Sequence, residues 1–189
     1  MNSKKSNNKN NWKKLFLNRL KQNFSKKNNL WRCLGFAISL VIVLVPSLTC
    51  NLLIRNGLWT GSVAYNNGIA FSFLEGQTTL VYVIQSIICF AIFIAILFTD
   101  KWYYSALLSL AFIGGMFNII DRATTFTLHQ PDTVIDYLPT GGTTSNFPDV
   151  FILTGIIGYA VLYITLSIIK MVQDKKTKNG TSVHDKNKS

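Results

Sequence analysis

Charge is scarce in this chain, and what there is has mostly one sign. Only 14% of the 189 residues are charged, eight of them acidic against nineteen Lys and Arg, while 49% are apolar. So much apolar content, at a mean hydropathy of +0.27, excludes a chain that is disordered throughout and an ordinary soluble domain. Histidine and cysteine are also few, two and three. His129 and His184 have no HExxH or Cys/His company, so no catalytic metal is indicated. Cys33, Cys50 and Cys89 lack CxxC spacing and lie in or beside apolar runs, where they read as small packing residues rather than a disulfide framework or a zinc site.

What is present is apolar sequence in long blocks. Residues 34–53, 78–98, 102–120 and 150–169 contain no charged side chain. A hydrocarbon core of about 30 Å needs about 20 helical residues at about 1.5 Å each. Each block is therefore long enough to cross a bilayer. Lipid offers the backbone no hydrogen bonds, so the spans must be helices and not open strands. The expected fold is an all-α membrane protein, a four-transmembrane-helix bundle.

Basic residues give the expected orientation. Ten lie in residues 1–32, one at Lys101 and six from Lys170 onward, whereas the two remaining connections hold only Arg55 and Arg122. Both termini are expected in the cytoplasm, with a basic head (1–32), a four-span domain (33–170) and a basic disordered tail (171–189). The charges of the head would suit a nucleic-acid arm, but anionic phospholipid attracts them equally, at about 1 kcal/mol per residue near the surface. A lipid partner is expected and a nucleic acid is not. Trp12, Leu15, Phe16, Leu20 and Phe24 are spaced for an amphipathic helix lying on the membrane. The charged region is too long, and its apolar run too extended, for a cleaved signal peptide.

Polar residues gather at the outward ends of the spans. Asn66, Asn67 and Gly68 favour a tight turn, and Val63, Tyr65 and 70–74 alternate as short strands around it, either as a plain hairpin or as part of a small outer sheet. At the end of the third span, Asn118, Asp121 and Arg122 share one helical face, either as an interfacial ion pair or as a site turned toward the bundle. Asn146, Pro148 and Asp149 open the fourth span and suit a helix N-terminus by cap, first-turn and dipole preferences.

A second acid, Asp136, lies between apolar neighbours and is separated from Asp149 by a Gly141-Gly142 hinge. Two carboxylates returning to one membrane surface cannot both ionise easily. One would keep a proton while the other acts as a base, the arrangement with which aspartic proteases activate water against a peptide carbonyl. Asp121 competes with Asp136 for the first place, since it is an acid at the same depth.

Taken in order, Asn-x-Gly-x-Ala-Phe (Asn66, Gly68, Ala70, Phe71), Asn-x-x-Asp-Arg (Asn118, Asp121, Arg122), Val-x-Asp-aromatic (Val134, Asp136, Tyr137) and Asn-x-x-Asp (Asn146, Asp149) over four spans resemble the lipoprotein signal peptidases, signal peptidase II. The resemblance covers roughly 34–170. It implies an aspartyl endopeptidase of the bacterial cell membrane that needs no metal or other cofactor. Its active site would lie at the outer face, where it removes the signal peptide from diacylglyceryl-modified prolipoproteins. It implies Asp136 and Asp149 as the catalytic pair, Asn118, Asp121, Arg122 and Asn146 as groups positioning that pair and the substrate, and Asn66 and Gly68 as part of a β-rich cradle. A flexible outer loop, 140–145, would act as a flap, and the protein would work as a monomer.

The chain departs from the family in the first span. There Pro46-Ser47-Leu48-Thr49-Cys50 stands for the usual Asp-Gln-x-x-Lys. Phe117 replaces the Gly before the Asn, and Ser145 and Pro148 replace Phe and Ala around the last motif. Two further readings follow: an inactive relative that binds lipidated substrates, and a small proton-coupled transporter, which would place its acids nearer mid-membrane.

Overall fold

The computed structural model describes residues 14–15, 18, 21, 26–69, 73–99, 101–124 and 132–186, and their side chains except those of 26–28 and 176–186. Four helices, α1 (Lys26–Arg55), α2 (Thr78–Phe98), α3 (Trp102–Thr124) and α4 (Phe147–Lys186), carry the fold. Between them lie the short strands β1 (Ala64–Asn66), β2 (Val134–Asp136), β3 (Leu138–Pro139) and β4 (Thr144–Ser145). Each helix holds a segment of 21 to 29 residues apolar enough to cross a membrane, which makes this a multi-pass membrane protein. Most of the amphipathic head, from Trp12 to Phe24, lies outside the described residues, as do Ala70, Phe71 and His129.

α1 starts inside the stretch assigned to the head, and Arg32 provides a reason. Its buried guanidinium donates from Nε to the Thr99 carbonyl at 2.9 Å, again from Nη2, and from Nη1 to Asn29 Oδ1 at 3.1 Å. The carbonyls at the end of α2 have no partner within their helix, and a cation there also meets the negative end of the helix dipole. Arg32 is thus a latch between two spans rather than a free tether charge. At its other end α1 stops at Gly57, whose φ of 67° suits glycine. Leu58 N–H returns to Leu53 O and Gly57 N–H to Ile54 O, closing the last turn.

α3 is the centre of the bundle, with 44% of its apolar segment buried against 28%, 17% and 6% for the segments of α1, α2 and α4. Small residues bring its neighbours close. A Cβ added at Gly114 would lie 2.7 Å from the Pro148 carbonyl, one at Gly155 would strike the Leu107 carbonyl, and one at Gly115 would lie 2.7 Å from Cys89 Sγ. Ser39 Oγ bonds the Ala106 carbonyl at 3.2 Å, and Phe36 and Phe93 both pack on Phe112. The exposed side chains of α4 include Leu153, Ile157, Val161, Ile164 and Ile168, a face made for acyl chains.

The strands sit together at one end of the bundle and differ from a local hairpin. β1 pairs with β2, Tyr65 opposite Ile135. Residues 73–76 form turns, and Leu74 takes a φ of 64°. The turn at Asn66 closes on itself, its Oδ1 accepting Gly68 N–H at 2.8 Å, and the strand edge is left for a distant partner. β3 and β4 form a second small sheet, so the expected flap is a hairpin whose turn residues Gly141 and Gly142 have φ of 66° and 122°. Thr140 N–H bonds Thr143 O at 2.9 Å across it. α4 continues to Lys186, through the tail that composition predicts to be disordered. Extending a nucleated helix costs little per residue.

Candidate active site

The site lies where α3 ends, α4 begins and β2 passes between them. The local sequence of α4 explains its start. Asn146 precedes the helix and its Oδ1 accepts the N–H of Asp149 at 2.8 Å, while Pro148 needs no such bond. The same amide donates from Nδ2 to Asp136 Oδ1 at 2.7 Å. Capping and site assembly are therefore one interaction, and Asn146, 1% exposed, is held by both.

β2 presents Asp136 to this point. Strand residues alternate in direction, so Ile135 turns to the opposite side, into a cluster with Cys50 and Tyr137. Tyr137 is fixed by its N–H to Ser145 O at 2.8 Å, by accepting Phe147 N–H on its hydroxyl at 3.4 Å, and by an edge contact with Trp59. Burial, and then the neighbouring carboxylate of Asp149, raise the Asp136 pKa from the ordinary carboxylate value to about 6. Hydrogen bonds from Asn66 and Asn146 and the charge of Arg122 act in the other direction. Asn66 reaches Asp136 Oδ2 at 3.2 Å, so both carboxylate oxygens accept from amides.

Asp149 stands in the first turn of α4. Its Oδ1 accepts from Asn118 Nδ2 at 2.7 Å and its Oδ2 from Ser145 Oγ at 3.3 Å. The close approach at Gly114 and Gly155 lets α3 carry Asn118 to it. Ser145, a departure from the family motif, is a working partner of the acid. Among the described residues Asn118 Oδ1 is buried with no hydrogen-bond partner, and so is Gln85 Oε1 on α2.

Of the two readings of Asp121 and Arg122, an interfacial ion pair or a site turned toward the bundle, the structure fits the second: both are buried and take different partners. The Arg122 guanidinium, 2% exposed, donates to the backbone carbonyls of Asn66 and Asp132, both at 3.1 Å, and of Gly68. It pins the loops that carry Asn66. The cation of Asp121 is instead Arg55, at 3.4 Å, joined by Asn51 Nδ2 at 2.8 Å and Ile135 N–H at 2.9 Å. Steric reach decides this, because Arg122 lies turned into the carbonyl cage while α1 brings Arg55 alongside.

Asp136, Asp149, Asn66, Asn118 and Asn146 thus form one cluster, with Gly68 and Arg122 supporting it and Asp121 in a separate cluster behind β2. Asn51 and Arg55 were not singled out from the sequence. Their signal is an i, i+4 polar pair at the end of the first span, just past the 46–50 stretch that lacks the family's charged pair at the same spacing. Among the described residues, no three His, Cys, Asp or Glu side chains come together as metal ligands.

The family model described as signal peptidase (SPase) II matches residues 40–166. The lipoprotein signal peptidase of Mycoplasmoides gallisepticum is 28% identical over 165 residues, covering 82% of this chain and 53% of the relative. That of Malacoplasma penetrans is 28% identical over 177 residues, covering 80% and 72%. That of Mycoplasma genitalium is 31% identical over 119 residues, covering 62% of each chain. The chain thus spans about half the length of the first of these relatives. Two solved structures described as bacterial membrane enzymes match the fold with a TM-score of 0.54 each, at 22% and 21% identity, covering 74% and 68% of this chain and 88% and 91% of theirs. With the four motif segments gathered at one end of a four-helix bundle and the family model spanning all four helices, the chain belongs to the signal peptidase II family.

Proposed function

We propose that this protein is a membrane aspartyl endopeptidase that removes the signal peptide from diacylglyceryl-modified bacterial prolipoproteins, cutting before the lipidated cysteine. Asp136 and Asp149 are its catalytic pair. The observation that carries this reading is the single amide of Asn146, which donates to one acid and accepts the backbone N–H of the other. The raised pKa of Asp136 supports it, since a carboxyl poised near neutrality can hold or release a proton under working conditions.

The chemistry follows from one shared proton. The ionised carboxylate takes a proton from water as the water oxygen adds to the scissile carbonyl carbon, and the protonated acid gives its proton to the carbonyl oxygen. When the C–N bond breaks, the leaving nitrogen takes up a proton and becomes the amino group of the lipidated cysteine. The vacant acceptor of Asn118 suits a substrate backbone N–H.

The strand-bearing end faces outward and both termini lie in the cytoplasm, in keeping with the distribution of basic residues. α2 and α4 both take their main contacts from α3, so a signal helix enters from the lipid between them. Its acyl chains stay among the membrane phospholipids and supply positioning that a soluble peptide lacks. The Thr140–Ser145 hairpin folds over the bound segment as a flap. The test is to mix the purified protein in lipid with a diacylglyceryl-modified precursor and with an unmodified one. A mass loss equal to the signal segment, confined to the modified precursor, is expected; an intact modified precursor overturns the proposal.

A further inference from the structure

The Asp136 side chain depends on the register of a strand pair only three residues long. Two-stranded sheets of this size are marginal on their own, and a slip of one residue turns every side chain to the other face. Such a slip would send Asp136 into the apolar cluster of Cys50 and Tyr137 and bring Ile135 or Tyr137 to the site. Contacts outside the sheet must fix the register: Asn146 holds the Asp136 carboxylate and Ser145 the Tyr137 N–H, and a further contact reaches the backbone of β2 itself. Asp121 Oδ2 accepts the N–H of Ile135, the residue next to Asp136 and itself fully buried.

That carboxylate is in turn immobilised from α1. Asn51, 7% exposed, holds Oδ1 at 2.8 Å, and Arg55 reaches the same oxygen at 3.4 Å. Arg55 also donates from Nη2 to Thr124 Oγ1 at 3.2 Å and from Nη1 to the Thr124 carbonyl at 3.5 Å, while Thr124 Oγ1 returns to the Asp121 carbonyl at 3.0 Å. A cation over the last carbonyls of α3 is also favoured by the helix dipole. The ends of α1 and α3 are thereby tied into one unit, and the Asp121–Ile135 hydrogen bond joins that unit to β2.

We propose that Asn51, Arg55 and Asp121 form a register pin, positioning residues that set the face on which Asp136 is presented. This rests on the proteolytic reading for its kinetic consequences but not for its structural one. Asn51 and Arg55 come to Asp121 from the first span, so the pin ties catalytic geometry to the docking of that span against α3. Asn51→Leu and Arg55→Met each remove one support without adding charge, and Arg55→Lys keeps the cation.

The test measures kcat and KM for a diacylglyceryl-modified precursor, normalised to folded protein, together with hydrogen exchange at the Ile135 amide in lipid. Asn51→Leu and Arg55→Met are expected to lower kcat about 10- to 100-fold with KM changed less than about 3-fold, and to speed Ile135 exchange by at least about 10-fold; Arg55→Lys should recover most of both. Unchanged kcat per folded molecule, even with reduced yield, overturns the pin, and so does unchanged Ile135 exchange. If the unaltered protein releases no signal peptide, the proteolytic reading fails, while the exchange measurement still decides whether the register is pinned.

Discussion

Two carboxylate clusters lie on either side of β2, and they are built from different chemistry. Behind the strand, Asp121 is held by a guanidinium, an amide and a backbone N–H, so its negative charge is matched and its oxygens are spoken for. In front of it, Asp136 and Asp149 accept hydrogen bonds from three asparagines and a serine. Held from three sides, with a cation among its partners, the Asp121 carboxylate joins α1, α3 and β2 as a strut would. Asp136 and Asp149 are held by neutral amides, and burial together with the neighbouring Asp149 carboxylate raises the pKa of Asp136 although those amides act the other way. In the proposed mechanism these amides orient the pair without fixing its proton.

The sharpest way to break this contrast is to neutralise each acid in turn. Asp136→Asn and Asp149→Asn should each cut processing of a lipidated precursor at least about 10³-fold with the protein still inserted, read by mass spectrometry of the product. Full activity in Asp136→Asn would move the catalytic role to Asp121 and erase the distinction between strut and reactive pair.

Next in size is the helix contact that delivers Asn118 to Asp149. Gly155→Leu would put a side chain into the Leu107 carbonyl and force α4 away from α3. We expect activity to fall at least about 100-fold and the melting temperature to drop by several degrees, in line with a strained core insertion of about 1–3 kcal/mol. A smaller effect should come from Asn146→Ala, which removes a helix cap and a support of Asp136 together. The cap alone is worth about 1 kcal/mol. Asn146→Asp would keep the cap but add a charge beside Asp136, so it should restore stability and not activity; recovery of both would sever the link between them.

The acid proposed for catalysis should weaken the fold at neutral pH. With a folded pKa of about 6, above its unfolded value, Asp136 contributes most to stability below the unfolded pKa of 3.8, and that contribution is lost as pH rises through about 6. Asp136→Asn should therefore melt higher than the unaltered protein at pH 8, by an amount on the order of 1–2 kcal/mol, and the difference should vanish near pH 4. A difference independent of pH would show that Asp136 carries no burial penalty. The smallest effect is expected at the far end of the bundle. Arg32→Gln opens the latch on Thr99, costing about 1 kcal/mol of stability while leaving kcat within about 2-fold.

How much of this was legible in the chain depends on the residue. The boundaries of α2 were readable to the residue, because a run without charge that ends at Asp100 and Lys101 has to leave the lipid there. Asn146 was readable as a cap and, separately, as a site residue; that one side chain does both was not, since the two partners belong to different elements. Asp121 and Arg122 were legible as an interfacial ion pair or as a site turned toward the bundle, because spacing on a helix shows which residues share a face and not which way a long side chain turns. β1 was legible as half of a hairpin or as part of a small outer sheet, but its partner was not. Its partner, β2, lies beyond two membrane spans, and no local pattern announces it.

The amino-acid sequence alone determined that this protein crosses a membrane four times as helices, since an apolar run of about 20 residues in lipid satisfies its backbone N–H and C=O groups within itself as a helix. It also placed the polar residues at the ends of those helices. Tertiary structure alone decided which acid is a strut and which belongs to the pair. The contacts that make the difference, Asn51 with Asp121 and Asn66 with Asp136, each join residues 70 positions apart, and only the packing of α1, α3 and β2 brings them within hydrogen-bonding range.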